Sequence, residues 1–309
     1  MEFHYKDGFI FRPWDGYLRI DSDKINIVLN QQTIKRAREA LLNYDIKYLS
    51  FGTLFDDLKN IDFLKDFMFL KGIDIGITDF DISPIHELDG LEDINIPFNF
   101  GGRIDFTRFK HLKSVFINWE NAGVESLFEC PQLERVSIMK YGGLSLMDFE
   151  KLPNLKELFL YEPRSISLEG IGSLEKLERL EISNAKKLKD LGDLEDLLSL
   201  KKLFLHGAKH LEDLHPVMYL KNLRILNLDN LGKISSIKFL ETLKNLEEFY
   251  MAESTNIEDG DLSVLEHLRK HHKLDKVIFT NRRHYSHTRE QLGYQVPPEV
   301  AAIFAKKGK

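Results

Sequence analysis

LPNLKELFL, Leu152 to Leu160, is a phrase that this chain repeats. Its four leucines stand three, three and two residues apart, with polar residues in most of the gaps. The closing Leu158-Phe159-Leu160 alternates with the period of a strand that buries one face, which places Phe159 on the other. Variants return as LEKLERLEI (Leu174 to Ile182), LLSLKKLFL (Leu197 to Leu205), LKNLRILNL (Leu220 to Leu228) and LKNLEEFYM (Leu243 to Met251).

Outward from these copies, the last apolar residue of each phrase forms a series: Phe51, Ile75, Ile96, Ile117, Ile138, Leu160, Ile182, Leu205, Leu228, Met251 and Phe279. Successive members are 21 to 24 residues apart, except for a last step of 28. A unit of this length cannot bury its apolar face alone, so neighbouring units must stack. The long last step contains DLSVLEHLRKHHK, where Leu262, Leu265 and Leu268 have helical spacing.

Over residues 43–280 the pattern resembles the leucine-rich repeats, in the short 21-to-23-residue class of internalins and of the leucine-rich regulatory subunit of protein phosphatase 1. The resemblance implies an α/β solenoid of about eleven repeats: a curved parallel sheet on the concave side, mostly turns and 3-10 segments on the convex side. SNAKKLKDLGDLED, between Ile182 and Leu197, suits such a return path, with Leu188, Leu191 and Leu194 three apart. The family places an asparagine three residues after each strand's last apolar residue; here that position holds Tyr141, Pro163, Ala185, Ala208 and Leu231.

Residues 1–42 do not fit the repeat and read as an N-terminal cap. FIFRPWDGYLRI alternates around Pro13 and Asp15-Gly16, which predicts a hairpin, and TIKRAREALL predicts a short helix with Ile34, Ala37, Leu41 and Leu42 on its apolar side. Residues 281–309 read as a C-terminal cap and basic tail, with Ala301, Ile303 and Phe304 placed to cover the last strand.

Composition is that of a folded, soluble chain, 43% hydrophobic and 30% charged, with a net charge of −6 that argues for neither membrane nor nucleic acid as partner of the whole chain. The single Cys130 excludes an internal disulfide framework, and its place at the first apolar position of a repeat makes it a small core residue. The start lacks the basic segment and apolar run of a secretory signal, which points to the cytoplasm. Charge is uneven. Residues 56–93 hold eleven acids against three lysines, and residues 267–309 hold ten Lys and Arg against three acids. Such blocks steer a charged partner or simply solvate a surface.

His267 and His271, and His284 and His287, have spacings that can place two imidazoles on one metal. Arg269, Lys270, Lys273, Arg282 and Arg283 crowd the same stretch and oppose a cation, so no metal and no cofactor is expected. Arg282, Arg283 and Arg289 suit a phosphate better, or form a basic solvated cap. The chain has none of the GxSxG, GxxxxGK[ST], HExxH or CxxC patterns, and Gly101-Gly102 and Gly142-Gly143 read as tight turns.

The side chains between the inward pairs make three rows on the sheet's outer, concave face. Apolar residues there have no burial reason, and exposed aromatics rimmed by charge mark interaction sites. The predicted partner-binding residues are Phe116, Trp119, Arg135, Met139, Phe159, Tyr161, Arg179, Glu181, Phe204, His206 and Tyr250, centred on Phe159. The expected function is non-catalytic binding of another protein. Among leucine-rich-repeat proteins, a compact binder without an effector domain looks like the bacterial immunity proteins that neutralise a toxin. A scaffold or regulatory subunit is the alternative within binding; an enzyme or nucleic-acid binder using the His/Arg-rich end is the alternative outside it.

Overall fold

The computed structural model describes residues 4–14, 24–52, 58, 60–211 and 213–293. The chain divides into two compact units, Met1–Gly143 with Asp148–Pro163, and Leu144–Met147 with Arg164–Lys309.

The first unit begins with β1 (His4–Lys6) and β2 (Phe9–Pro13), an antiparallel hairpin closed at Asp7-Gly8. Both turn residues have positive φ, which matches the twist of paired strands. β2 then pairs antiparallel with β3 (Ile25–Leu29), Pro13 opposite Ile25. The return strand is therefore 25–29, and the predicted partner Tyr17 to Ile20 lies outside the described residues. From β3 on, the ladder is parallel: β3, then β4 (Tyr48–Phe51), β5 (Gly72–Ile75), β6 (Asp93–Ile96), β7 (Ser114–Asn118), β8 (Arg135–Met139) and β9 (Glu157–Tyr161). Leu29 sits opposite Phe51, so the parallel ladder starts inside the segment read as a cap. The helix between these strands, α1 (Ile34–Asn43), buries Ala37, Ala40 and Leu41; Leu42, expected on the apolar side, is 49% exposed.

The second unit continues the pattern with β10 (Arg179–Ser183), β11 (Lys202–His206), β12 (Ile225–Asp229), β13 (Lys233–Ile234), β14 (Glu248–Met251), β15 (Asn256–Ile257), α2 (Ser263–His271) and β16 (Lys276–Phe279). β10, β11, β12, β14 and β16 form a parallel ladder, and β13 and β15 pair separately. α2 is the helix expected in the long last step, with Leu265 and Leu268 buried. Elsewhere the return paths carry short 3-10 turns such as Val124–Glu129 and Leu194–Asp196.

The phrase leucines build the core. Leu152, Leu155, Leu158 and Leu160 are fully buried, as are Leu197, Leu200, Leu203 and Leu205 in the second unit. Tyr141, Ala185, Ala208 and Leu231, which replace the family's turn asparagine, are buried as well. Their turns are held by backbone instead. In six repeats, from β8 to β14, the residue two after the strand's last apolar residue is left-handed (Lys140, Glu162, Asn184, Gly207, Asn230, Glu253). Its N–H donates to the next repeat in several copies, from Lys140 to Tyr161 O (2.6 Å), Asn184 to His206 O (2.8 Å) and Gly207 to Asp229 O (3.1 Å). In two repeats a polar side chain one residue further on bonds the turn backbone. Asn121 accepts from Phe100 N and donates to Phe98 O, and Thr255 accepts from Leu231 N and donates to Leu228 O.

A second ladder lies in the phrase itself. Asn154 donates to Pro131 O, Asn222 to Leu198 O and Asn245 to Lys221 O, each at 2.8–3.0 Å, tying each repeat to the one before. Gly142 and Gly143 are needed for close approach and not for a left-handed turn. A side chain at Gly142 would strike the Trp119 ring, and one at Gly143 the Tyr141 ring. Cys130 is buried, and burial pushes its thiol up to about 11. No described helix is long and apolar enough to cross a membrane.

Candidate functional site

Side chains on the face opposite the core were expected to stand in solvent. In the first unit they do not. The central row on that face, Val28, Ser50, Asp74, Asn95, Phe116, Ser137 and Phe159, is 0–8% exposed throughout. Two things fill it. At the N-terminal end the chain folds onto its own sheet. Arg12 reaches from β2 to Asp74 and Ser50 and lies beside Asn26, forming a buried ion pair set in hydrogen bonds. Trp14 packs on Tyr48 with ring centroids 5.0 Å apart, over Gly72, where any side chain would collide with both rings. Lys24 reaches Asp93 at 3.0 Å and caps the Tyr48 ring. Part of the acidic block thus serves to neutralise the protein's own N-terminal cations.

Further along the same unit, long neighbours close over the row. Arg135 pairs with Glu157, and the Phe116 and Tyr161 rings meet at 6.0 Å. Phe159 ends at 1% exposure and Phe116 at 8%, so neither is an open anchor; Arg135, Met139 and Tyr161 are half-buried. Trp119 is off this row. It sits in the turn after β7, edge-on to Tyr141 at 4.8 Å and beside Phe128, in a lateral aromatic cluster.

The second unit's face stays half open. Glu181, Phe204, Asn227, Tyr250 and Ile278 form its central row, in register across β10, β11, β12, β14 and β16, and each is half-exposed. Arg179 bonds Glu181 at 2.9 Å and lies 5.0 Å from the Phe204 ring. Lys276 lies 5.0 Å from the Tyr250 ring and 3.5 Å from Glu248, to which the Tyr250 hydroxyl donates. Burial and that hydrogen bond raise the Tyr250 phenol above its ordinary value. His206 faces Glu253 at 3.6 Å. Of the predicted binding residues, Arg179, Glu181, Phe204, His206 and Tyr250 therefore share one accessible surface, together with Asn227 and Ile278.

The histidine-rich end is built differently from a metal centre. His284 Nε2 lies 2.9 Å from Ile257 O, whereas His287 turns to Ser286 and to Glu266 of α2. The His267 ring lies tilted against His271 and edge-on to His272 at the C-terminal end of α2. Arg282 donates to Glu253 O and Thr255 O, and Arg269 to Asp275 O, so both close backbone at the end of the ladder. Among the described residues no group of three or more His, Cys, Asp or Glu could hold a metal.

No protein-family model matches the chain, and no curated protein sequence does. Solved structures do. The functional domain of InlJ from Listeria monocytogenes superposes with a TM-score of 0.55 at 19% identity, over 70% of this chain and 46% of that one. A TDR receptor gives 0.54 at 16%, over 76% and 44%. The plant peptide hormone receptor RGFR1, in complex with RGF2, gives 0.50 at 14%, over 82% and 46%. The chain spans less than half the length of each, and at these identities the likeness is one of fold. In that sense the chain is a leucine-rich-repeat solenoid of the short, internalin-like kind.

Proposed function

We propose that this chain is a non-catalytic protein-binding module and that the half-open face of its second unit is the binding surface. The observation that carries this is the row Phe204, Asn227, Tyr250 and Ile278. Two aromatic rings and an aliphatic side chain stand partly exposed among charged neighbours, as hot-spot residues do in interfaces. Arg179 with Glu181, His206 with Glu253 and Lys276 with Glu248 are paired on that face, which suits recognition better than proton transfer. The plant receptor of the same fold was solved with a peptide hormone, which supports reading the fold as a binder.

The finer reading is a cytoplasmic immunity protein that neutralises a toxin, and it rests on the family resemblance. Co-expression with a toxin encoded beside this gene tests it. Rescue of growth by the wild-type chain, lost with Phe204→Ala plus Tyr250→Ala, supports both statements. Rescue that survives the double substitution moves the surface elsewhere, and absence of rescue favours the scaffold or regulatory-subunit reading.

A further inference from the structure

On the second unit's face, β12 runs between two arrangements of the same composition. On one side, Arg179 holds Glu181 and covers Phe204; on the other, Lys276 holds Glu248 and covers Tyr250. Phe204 and Tyr250 lie two strands apart in register with Asn227, about 10 Å at the usual strand spacing. Each ring has a cation on one face; among the described residues neither has another ring or cation as partner. The space between the rings is a slot with Ile225, Asn227 and Asp229 along its floor.

The groups left without partners define what that slot accepts. Asn227 Oδ1 is used by Asp229 N at 2.9 Å, so Nδ2 remains as a donor with no partner among the described residues. Lys202, beside Ile225 at one end of the slot, is exposed and makes no ion pair among the described residues. The carboxylates around the slot are engaged. Glu181 is held by Arg179, Glu248 by Lys276 and the Tyr250 hydroxyl, and Asp229 by Ala252 N at 2.6 Å. A cation entering here would meet Arg179, Lys202 and Lys276, with one face of each ring already given to a cation. An anion finds an unpaired ammonium and an unpaired amide donor, and the aliphatic stem of its side chain finds two ring walls.

From this geometry we infer that the slot over β12 receives an aspartate or glutamate side chain of the partner protein, delivered on an exposed segment. The inference rests on the binding reading above and names the chemistry of the partner at that same face. Random peptides displayed on phage, selected on the intact wild-type protein, are the probe. Recovered peptides are then synthesised and titrated calorimetrically. The expected result is a shared acidic residue whose replacement by its amide weakens binding about tenfold or more. Lys202→Glu should weaken the same peptides to a similar extent and, in a fresh selection, favour Lys or Arg at that place. The Lys202 side chain makes no hydrogen bond or ion pair among the described residues, so unchanged melting of this variant keeps the charge test separate from misfolding. Peptides that depend on Phe204 and Tyr250 but share no acid overturn the inference and leave the face as a binding surface. Peptides indifferent to Phe204→Ala, Tyr250→Ala and Lys202→Glu, or no enriched peptide at all, overturn both.

Discussion

The two units carry the same strand pattern and use the face opposite the core differently. In the first, Arg12, Trp14 and Lys24 reach over from the N-terminal strands, and Phe116 and Phe159 sink among long neighbours. In the second, Arg179 lies against one face of the Phe204 ring and Lys276 against one face of the Tyr250 ring, and Phe204, Asn227 and Tyr250 remain half-exposed. An aromatic on that face is therefore a packing residue in one unit and a candidate contact in the other. The difference lies in what else lies over each row. A side chain's direction from the strand says which face it joins, and only its neighbours say whether that face meets water.

The largest effect should come from breaking the occupant of the first face. Arg12→Ala leaves Asp74 buried without its cation, which costs about 3–5 kcal/mol, read by urea denaturation. Arg12→Met combined with Asp74→Leu should recover most of that loss. If the single substitution proves neutral, the N-terminal segment does not stabilise this face.

A direct contrast between the units comes next. Phe159→Ala removes a ring with 1% exposure and should cost about 3–5 kcal/mol of stability. Phe204→Ala removes a half-exposed ring and should cost about 1 kcal/mol or less. Equal losses in thermal or denaturant unfolding would erase the distinction drawn here.

A smaller, pH-dependent effect belongs to His86 of the first unit. His86 accepts a hydrogen bond from Asp105 N at 3.0 Å and stacks on Phe109. Burial first, and then the nearby Arg108, lower its pKa below 6.5. The folded state thus favours neutral imidazole. That stabilisation is complete above the unfolded pKa of about 6.5 and is lost as pH falls through the lower folded value. Denaturant titrations from pH 7 to pH 5 should show falling stability in wild type and a shallower fall in His86→Gln. Parallel curves would remove His86 as the cause.

The smallest effect concerns the turns that both units share. Glu162 is left-handed at a position where Asn184 and Asn230 occupy equivalent turns. Glu162→Asn should stabilise by a few tenths of a kcal/mol, up to about 1 kcal/mol, seen as a small rise in Tm. A loss instead would mean that the Glu162 side chain contributes more than its backbone strain takes away.

Much of the fold is legible in single residues. The leucine spacing of Leu152 to Leu160 marks the strand, the core side and the period together, because each burial position repeats with every stacked unit. The helix at Ser263–His271 was equally plain from Leu262, Leu265 and Leu268. Two local signals were there to be read further. Asp7-Gly8 marks the first hairpin more directly than Asp15-Gly16, and the asparagines of LPNL and LKNL announce the ladder made by Asn154, Asn222 and Asn245. The candidate site was only half legible. Alternation alone put Phe159 and Phe204 each on the face opposite the core of its own unit, which is correct for their direction. Which of them meets solvent depended on contacts over long separations, such as Arg12 with Asp74 and Lys24 with Asp93, that no local period encodes. Repetition along the chain thus determined the ladder and its core by itself, because each unit needs only its neighbours. The tertiary structure decided which stretch of the face stays open, because that depends on where non-repeating side chains come to rest.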